Sequence, residues 1–135
     1  MPPRNRPLGT HGLTHIALGV VDIERAFAFY EEVFGMVAVF RAADFIQAQT
    51  PGARDVIVFQ LAAKLAGKSG GIAHFGFRLK TPGDIEVAAE RVRHAGGTVT
   101  DAGDFAPGEP YLFARDPDGY LIEIWYELPT SADPR

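Results

Sequence analysis

Cysteine is absent from this chain. Disulfides, thiolate-bound zinc and iron–sulfur clusters are therefore excluded. Long apolar runs are missing as well. No stretch approaches the roughly 20 residues that a membrane-spanning helix needs, and the first residues lack the apolar core of a signal peptide. Basic character is scarce: 13 Lys and Arg stand against 17 Asp and Glu, for a net charge of −4. With no basic stripe, nucleic acid is a poor candidate for the main partner. The expectation is a cytoplasmic protein that engages neither membrane nor nucleic acid.

What is present suits one packed domain. The chain has 135 residues, of which 47% are hydrophobic and 22% charged, enough apolar surface for a core and too little charge for disorder. Its organising stretch is Asp116-Pro117-Asp118-Gly119, a strong turn signal, followed by the apolar run Tyr120 to Tyr126. Pro fixes φ and Gly accepts a positive φ, so the turn feeds a buried strand. Glu123 lies in the middle of that strand. An ionised carboxylate there is costly unless a cation or hydrogen-bond donors meet it. Two histidines, His15 and His74, are also centred in apolar, strand-like runs.

The chain divides into two similar parts. Residues 1–10 and 129–135 read as tails around a domain over 11–128. In module 1, 13–61, Leu13 to Val21 alternates as a strand, with His15, Ala17 and Gly19 on one face. Asp22 caps a helix from Ile23 to Phe34 that Gly35 ends. Strands follow at Met36 to Arg41, Phe45 to Gln49 and Asp55 to Leu61. A linker over 62–71 leads to module 2, 72–127. There, Ile72 to Lys80 is a strand with His74, Gly76 and Arg78 on one face. Thr81 to Asp84 opens a helix that Gly96-Gly97 stops. Strands at Thr98 to Asp101, Tyr111 to Ala114 and Leu121 to Glu127 complete it. The stretch Gly103 to Pro110, rich in Gly and Pro, reads as a loop that either closes over a cavity mouth or takes no part in it.

The repeat has the form βαβββ, twice. His15 to His74 is 59 residues, Asp22 to Asp84 is 62 and Gly35 to Gly96 is 61. A repeat of this size implies two supersecondary units that share a core. An offset of 63 makes Gln60 the counterpart of Glu123. Two imidazoles and a carboxylate at repeat-related positions suit one divalent ion, Fe2+, Zn2+, Mn2+ or Ni2+, with coordination positions left open. Gln60 is a further candidate ligand through its amide oxygen. Taken singly, His15 reads equally as a hydrogen-bonded core histidine, and Glu123 as the partner of Arg78 or Arg115. His11 and His94 read as structural or solvent-exposed.

The chain resembles the glyoxalase / bleomycin-resistance / extradiol-dioxygenase superfamily, the vicinal oxygen chelate fold. The resemblance rests on four segments: Leu13-Thr14-His15-Ile16-Ala17-Leu18; Ala26-Phe27-Ala28-Phe29-Tyr30 leading to Phe34-Gly35-Met36; Ile72-Ala73-His74-Phe75-Gly76-Phe77; and Asp116-Pro117-Asp118-Gly119 with Ile122-Glu123. It implies an α+β fold of two half-barrel modules that enclose a divalent metal. It also implies a two-fold homodimer and a small-molecule substrate that chelates the metal through adjacent oxygens. His15, His74 and Glu123 fall on the metal positions, with Glu123 also the candidate catalytic base. Arg78, Tyr111, Phe113 and Trp125 are candidate substrate contacts.

Three branches of the family differ in the remaining residues. Extradiol dioxygenases resemble one another in a Tyr where this chain has Phe113, and in a His that it lacks between Gly96 and Asp116. Fosfomycin-modifying transferases share that Tyr and add a Thr where Ala17 stands. Glyoxalase I-type enzymes place a Glu at the position assigned to Gln60, and an amide cannot abstract a proton. The implied activity is metal-dependent, lyase- or isomerase-like or dioxygenase-like. The competing reading is a metal-free drug-binding protein of the bleomycin-resistance type.

Overall fold

Alternation along each strand decides which face is buried. In β1 (His15–Val20), Leu18 and Val20 are buried while His15 is exposed. β4 (Val56–Leu61) buries Ile57 and Phe59, and β8 (Leu121–Trp125) buries Ile122 and Ile124. These side chains meet the apolar stripes of α1 (Ile23–Phe34) and α2 (Ile85–His94) in one continuous core. The computed structural model describes residues 6–134; the first five residues of the expected N-terminal tail lie outside them.

The strands form two four-stranded sheets of identical topology. Sheet A has the order β1-β4-β3-β2, with β2 at Val37–Arg41 and β3 at Phe45–Gln49. Sheet B has the order β5-β8-β7-β6, with β5 at Phe75–Arg78, β6 at Thr98–Ala106 and β7 at Glu109–Arg115. In each sheet the strand before the helix pairs in parallel with the last strand of its module, and the other pairings are antiparallel. This is the expected βαβββ repeat, and the fold is that of the glyoxalase-like class. The helices cover one face of each sheet, and the other face stays open.

The helix ends follow their capping chemistry. Asp22 Oδ1 accepts from the backbone N–H groups of Glu24 and Arg25, both at 3.1 Å. Gly35 closes α1 at φ 70°, the left-handed conformation a C′ glycine takes at least cost. Phe29 is buried between the helix and sheet B. It packs over Gly97, where a Cβ would come within 2.7 Å of the Phe29 ring and 2.8 Å of the Arg115 carbonyl oxygen. α1 also reaches across to sheet B. Phe34 stacks on Phe77 at 3.7 Å between ring centroids, and the Tyr30 hydroxyl donates to Asp116 at 2.7 Å.

Two segments differ from the sequence expectation. β5 begins at Phe75 rather than Ile72, so His74 stands just ahead of the ladder. The segment Gly103 to Pro110 is largely strand rather than loop. Its ends extend β6 and β7 into a hairpin that turns at Pro107-Gly108, with Ala106 paired to Glu109. Phe105 stacks on Tyr111 at 4.4 Å, and that pairing rewards extension. The linker is also tied down. A short 3-10 turn at Ala63–Leu65 covers Gly19, and Tyr120 donates its hydroxyl to the carbonyls of Gly19 and Leu65.

Candidate metal centre

Glu123 sits at the middle of β8, opposite Gly76 of β5. Its side chain is only 13% exposed. Neither suggested arginine partner meets it. Arg78 turns to Asp133, and Arg115 donates to the Gly119 carbonyl. The charged group that does face it is His74, whose Nε2 lies 3.8 Å from Glu123 Oε1. That gap is too long for a hydrogen bond. Glu123 thus has no hydrogen-bond donor among the described residues, and a largely covered carboxylate in that state is suited to meet a cation. The His74 ring is held edge-on against Phe113, 5.0 Å between centroids.

His15 lies on the open face of sheet A. With His74 it lines a groove of about 480 Å³ between β1 and β5, whose walls include Leu13, Thr14, Asp55 and Ile72. Among the described residues of one chain, no three His, Asp or Glu side chains converge closely enough to hold an ion. A single chain therefore joins His74 to Glu123 and leaves His15 apart from them.

The register moves Gln60 out of the expected set. Glu123 pairs with Gly76, two residues beyond His74. The residue two beyond His15 is Ala17, and Ala17 pairs with Val58. Val58 is therefore the structural counterpart of Glu123, and Gln60, opposite Gly19, is the counterpart of Trp125. The offset in the last strand is 65 rather than 63, because module 2 is longer between its helix and its last strand. The module 1 position that would mirror Glu123 carries an isopropyl group and no donor.

The four candidate substrate contacts do come together. Across the open face of sheet B, one row runs Gly76, Glu123, Phe113 and Asp101; the next runs Arg78, Trp125, Tyr111 and Gly103. Small residues make room for large ones. A Cβ on Gly76 would lie 2.7 Å from Trp125 Cζ3, and one on Gly103 would lie 3.0 Å from the Tyr111 hydroxyl. The Asp101 carboxylate beside that hydroxyl raises the Tyr111 pKa, so the group stays protonated and able to donate at neutral pH. Arg78 is not a free cation, since Glu127 and Asp133 both pair with it. The strand ends at Trp125 rather than at Glu127 as expected, and Asp133 lies in a polar segment without periodicity, so the sequence carries no signal for this pairing.

His94 contacts Glu32 and joins the ends of the two helices, consistent with a structural role. His11 is exposed.

The donor set fits a divalent ion. Imidazole and carboxylate ligands suit first-row metals, and Glu123 has no other partner. His74 and Glu123 adjoin on sheet B, and His15 stands apart on sheet A across the groove.

Comparison with known proteins places this geometry. The family model described as Glyoxalase/Bleomycin resistance protein/Dioxygenase superfamily matches residues 12–124. A Pseudomonas aeruginosa protein described only as uncharacterized protein PA2024 is 31% identical over 127 residues, covering 87% of this chain and 89% of that one. The manganese-dependent 2,3-dihydroxybiphenyl 1,2-dioxygenase of Geobacillus genomosp. 3 is 29% identical over 119 residues, which are 84% of this chain but 36% of the dioxygenase. The crystal structure of a glyoxalase-related enzyme from Fulvimarina pelagi superposes with a TM-score of 0.70 at 25% identity, over 93% of this chain and 96% of that one. Sequence, topology and these likenesses agree, and the chain belongs to the Glyoxalase/Bleomycin resistance protein/Dioxygenase superfamily.

Proposed function

We propose that this protein is a divalent-metal-dependent enzyme acting on a small molecule that presents two adjacent oxygens. The observation that carries the reading is Glu123: a carboxylate nearly enclosed in a strand, without a donor, facing an imidazole across 3.8 Å. His74, Glu123 and a His15 would hold the ion. When bound, it would supply Lewis-acid polarisation of both substrate oxygens.

The chain's own residues account for the rest of the chemistry. Phe113 packs edge-on against the His74 ring, and Trp125 and Phe113 flank the carboxylate with apolar surface. The Tyr111 hydroxyl offers a donor one row away. Among the described residues, Glu123 is the carboxylate beside His74 and so the candidate base; Asp101 lies two strands away across Phe113. Val58 removes the second carboxylate that a symmetric acid–base exchange between the two modules would use. A set of two histidines and one carboxylate leaves open positions on the ion, which favours chemistry at a chelated substrate over a closed structural site.

His15 joins this set most simply from a second copy. β1 and β5 are edge strands, and the groove between them exposes Leu13 (99%) and Ile72 (57%). Exposed edges and apolar patches of this kind are normally covered. A two-fold homodimer would bury them, and its symmetry would form two equivalent sites.

The test is elemental analysis of untagged protein beside a His15→Ala, His74→Ala double variant. About one divalent ion per chain is expected in the parent and none in the variant, with circular dichroism unchanged. No ion in the parent, even after incubation with iron(II), manganese, nickel and zinc salts, would sink the reading and leave the metal-free binding protein in its place.

A further inference from the structure

The open face of sheet B ends in an ionic contact that the metal chemistry does not use. Arg78 is the last residue of β5, on the face that carries His74 and Gly76, and its cross-strand partner is Trp125. Its guanidinium fork is filled. Nη1 donates to Asp133 Oδ1 at 2.9 Å and Nη2 to Asp133 Oδ2 at 3.0 Å. This is the parallel, two-oxygen geometry by which arginine recognises a carboxylate. Nη2 also lies 3.4 and 3.3 Å from the carbonyls of Glu127 and Leu128. Glu127 takes the other edge, with Oε1 3.6 Å from Nε, and the same oxygen accepts from the Trp125 indole at 3.4 Å.

The occupant comes from the chain's own C-terminal segment. Asp133 is pre-shaped for the role. Its carboxylate also accepts from the backbone N–H of Thr130 at 3.0 Å, and the Arg78 fork holds its pKa down to about 2. The contact is nonetheless exposed, with side-chain accessibilities of 32% for Arg78 and 29% for Asp133. Exposed ion pairs are weak and exchange readily with other anions. The aromatic row beside it, Trp125 and Tyr111, ends in the Phe105–Tyr111 stack. A cation at one end of an aromatic wall matches a planar ligand with a carboxylate at its edge.

The geometry points to a carboxylate-binding subsite at Arg78, occupied in the free protein by Asp133 as an internal competitor that an aromatic carboxylate displaces. This deepens the reading above and rests on it for one point, that the open face of sheet B receives the substrate. The substrate class becomes an aromatic or other planar acid. The C-terminal segment sets the apparent affinity, because the subsite is competent only in the fraction of molecules whose strap is released.

The test uses Trp125, the single tryptophan of the chain, whose fluorescence reports on this row. The metal-free 135-residue chain is titrated with benzoate and, as a neutral isostere, benzamide. An Asp133→Asn variant keeps the shape of the strap and drops its charge. It is expected to bind benzoate about fivefold more tightly than the parent, while benzamide binds equally to both. Arg78→Gln is expected to abolish the preference for benzoate over benzamide, and Arg78→Lys to restore it only in part, since lysine lacks the fork. Equal benzoate affinity in parent and Asp133→Asn protein, equal tightening of benzamide, or no saturable response in any variant overturns the proposal. Because no metal is present, these outcomes are independent of whether the chain binds an ion.

Discussion

Asp116 is the one charged residue buried among those described. It organises the turn before β8. Oδ1 accepts from the N–H groups of Asp118 and Tyr120, and Oδ2 from the Tyr30 hydroxyl. Burial raises its pKa above the ordinary carboxylate value, and the Tyr30 hydrogen bond partly offsets that rise. Burial, with Asp116 beside it, drives the Tyr30 pKa upward as well. The sign of the linkage follows. A raised carboxyl pKa contributes stability that is full below the unfolded value near 3.8 and is lost as pH climbs through the folded one. Tyr30→Phe strips a donor from the charged form. It is expected to destabilise the fold by about 1–3 kcal/mol at neutral pH, with a smaller loss near pH 4, where the raised pKa leaves more of Asp116 protonated. Urea melts of both proteins at the two pH values check this, and an equal loss at both would remove Asp116 from the account.

At the scale of the element, two glycines set how closely strands, helices and rings approach. Gly97 lets α1 rest its Phe29 on the start of β6. Gly97→Ala forces a methyl group against a ring and a backbone carbonyl, neither of which yields easily. The expected cost is about 1–3 kcal/mol, read as a lowered urea midpoint at unchanged m-value. Stability within a few tenths of a kcal/mol of the parent would show that the α1–β6 contact relaxes freely. Gly76 plays the corresponding part on the open face, where it receives the Trp125 ring. Helix and strand positions were largely legible in the sequence, because alternation and capping are local. Ile23–Phe34 matches its reading end to end, from the Asp22 cap to the Gly35 stop. The β6–β7 hairpin was not legible. Gly103, Pro107, Gly108 and Pro110 carry loop chemistry, and the strand is held only by cross-strand partners such as Phe105 and Tyr111.

At the scale of the whole molecule, the question is where His15 finds its partners. If the site spans two copies, each His15→Ala or His74→Ala homodimer lacks a ligand at both of its sites. Dissociating and mixing the two variants would then rebuild intact sites, since one chain supplies His15 and the other His74 with Glu123. Random pairing restores about a quarter of the parent's metal content, with sedimentation velocity reporting the dimer. Metal content that stays at the level of the separate variants, in protein shown to have exchanged partners, places the whole site within one chain.

The sequence alone determined the repeat and the core faces, and it singles out His15, His74 and Glu123 as candidates for a metal. Strand periodicity, helix caps and the Asp116 turn act over a few residues, and the cost of burying a lone carboxylate marks Glu123 wherever the chain folds. Tertiary structure decided what depends on register and on distant neighbours. Counting residues paired Gln60 with Glu123, whereas the parallel ladders place Val58 there, because insertions between elements shift offsets without changing strand pairing. In the sequence Arg78 is a candidate partner for Glu123 or for a substrate, whereas the fold pairs it with Asp133, 55 residues away. Such contacts carry no local signal: their energy comes from two groups meeting in space, and only the folded chain brings them together.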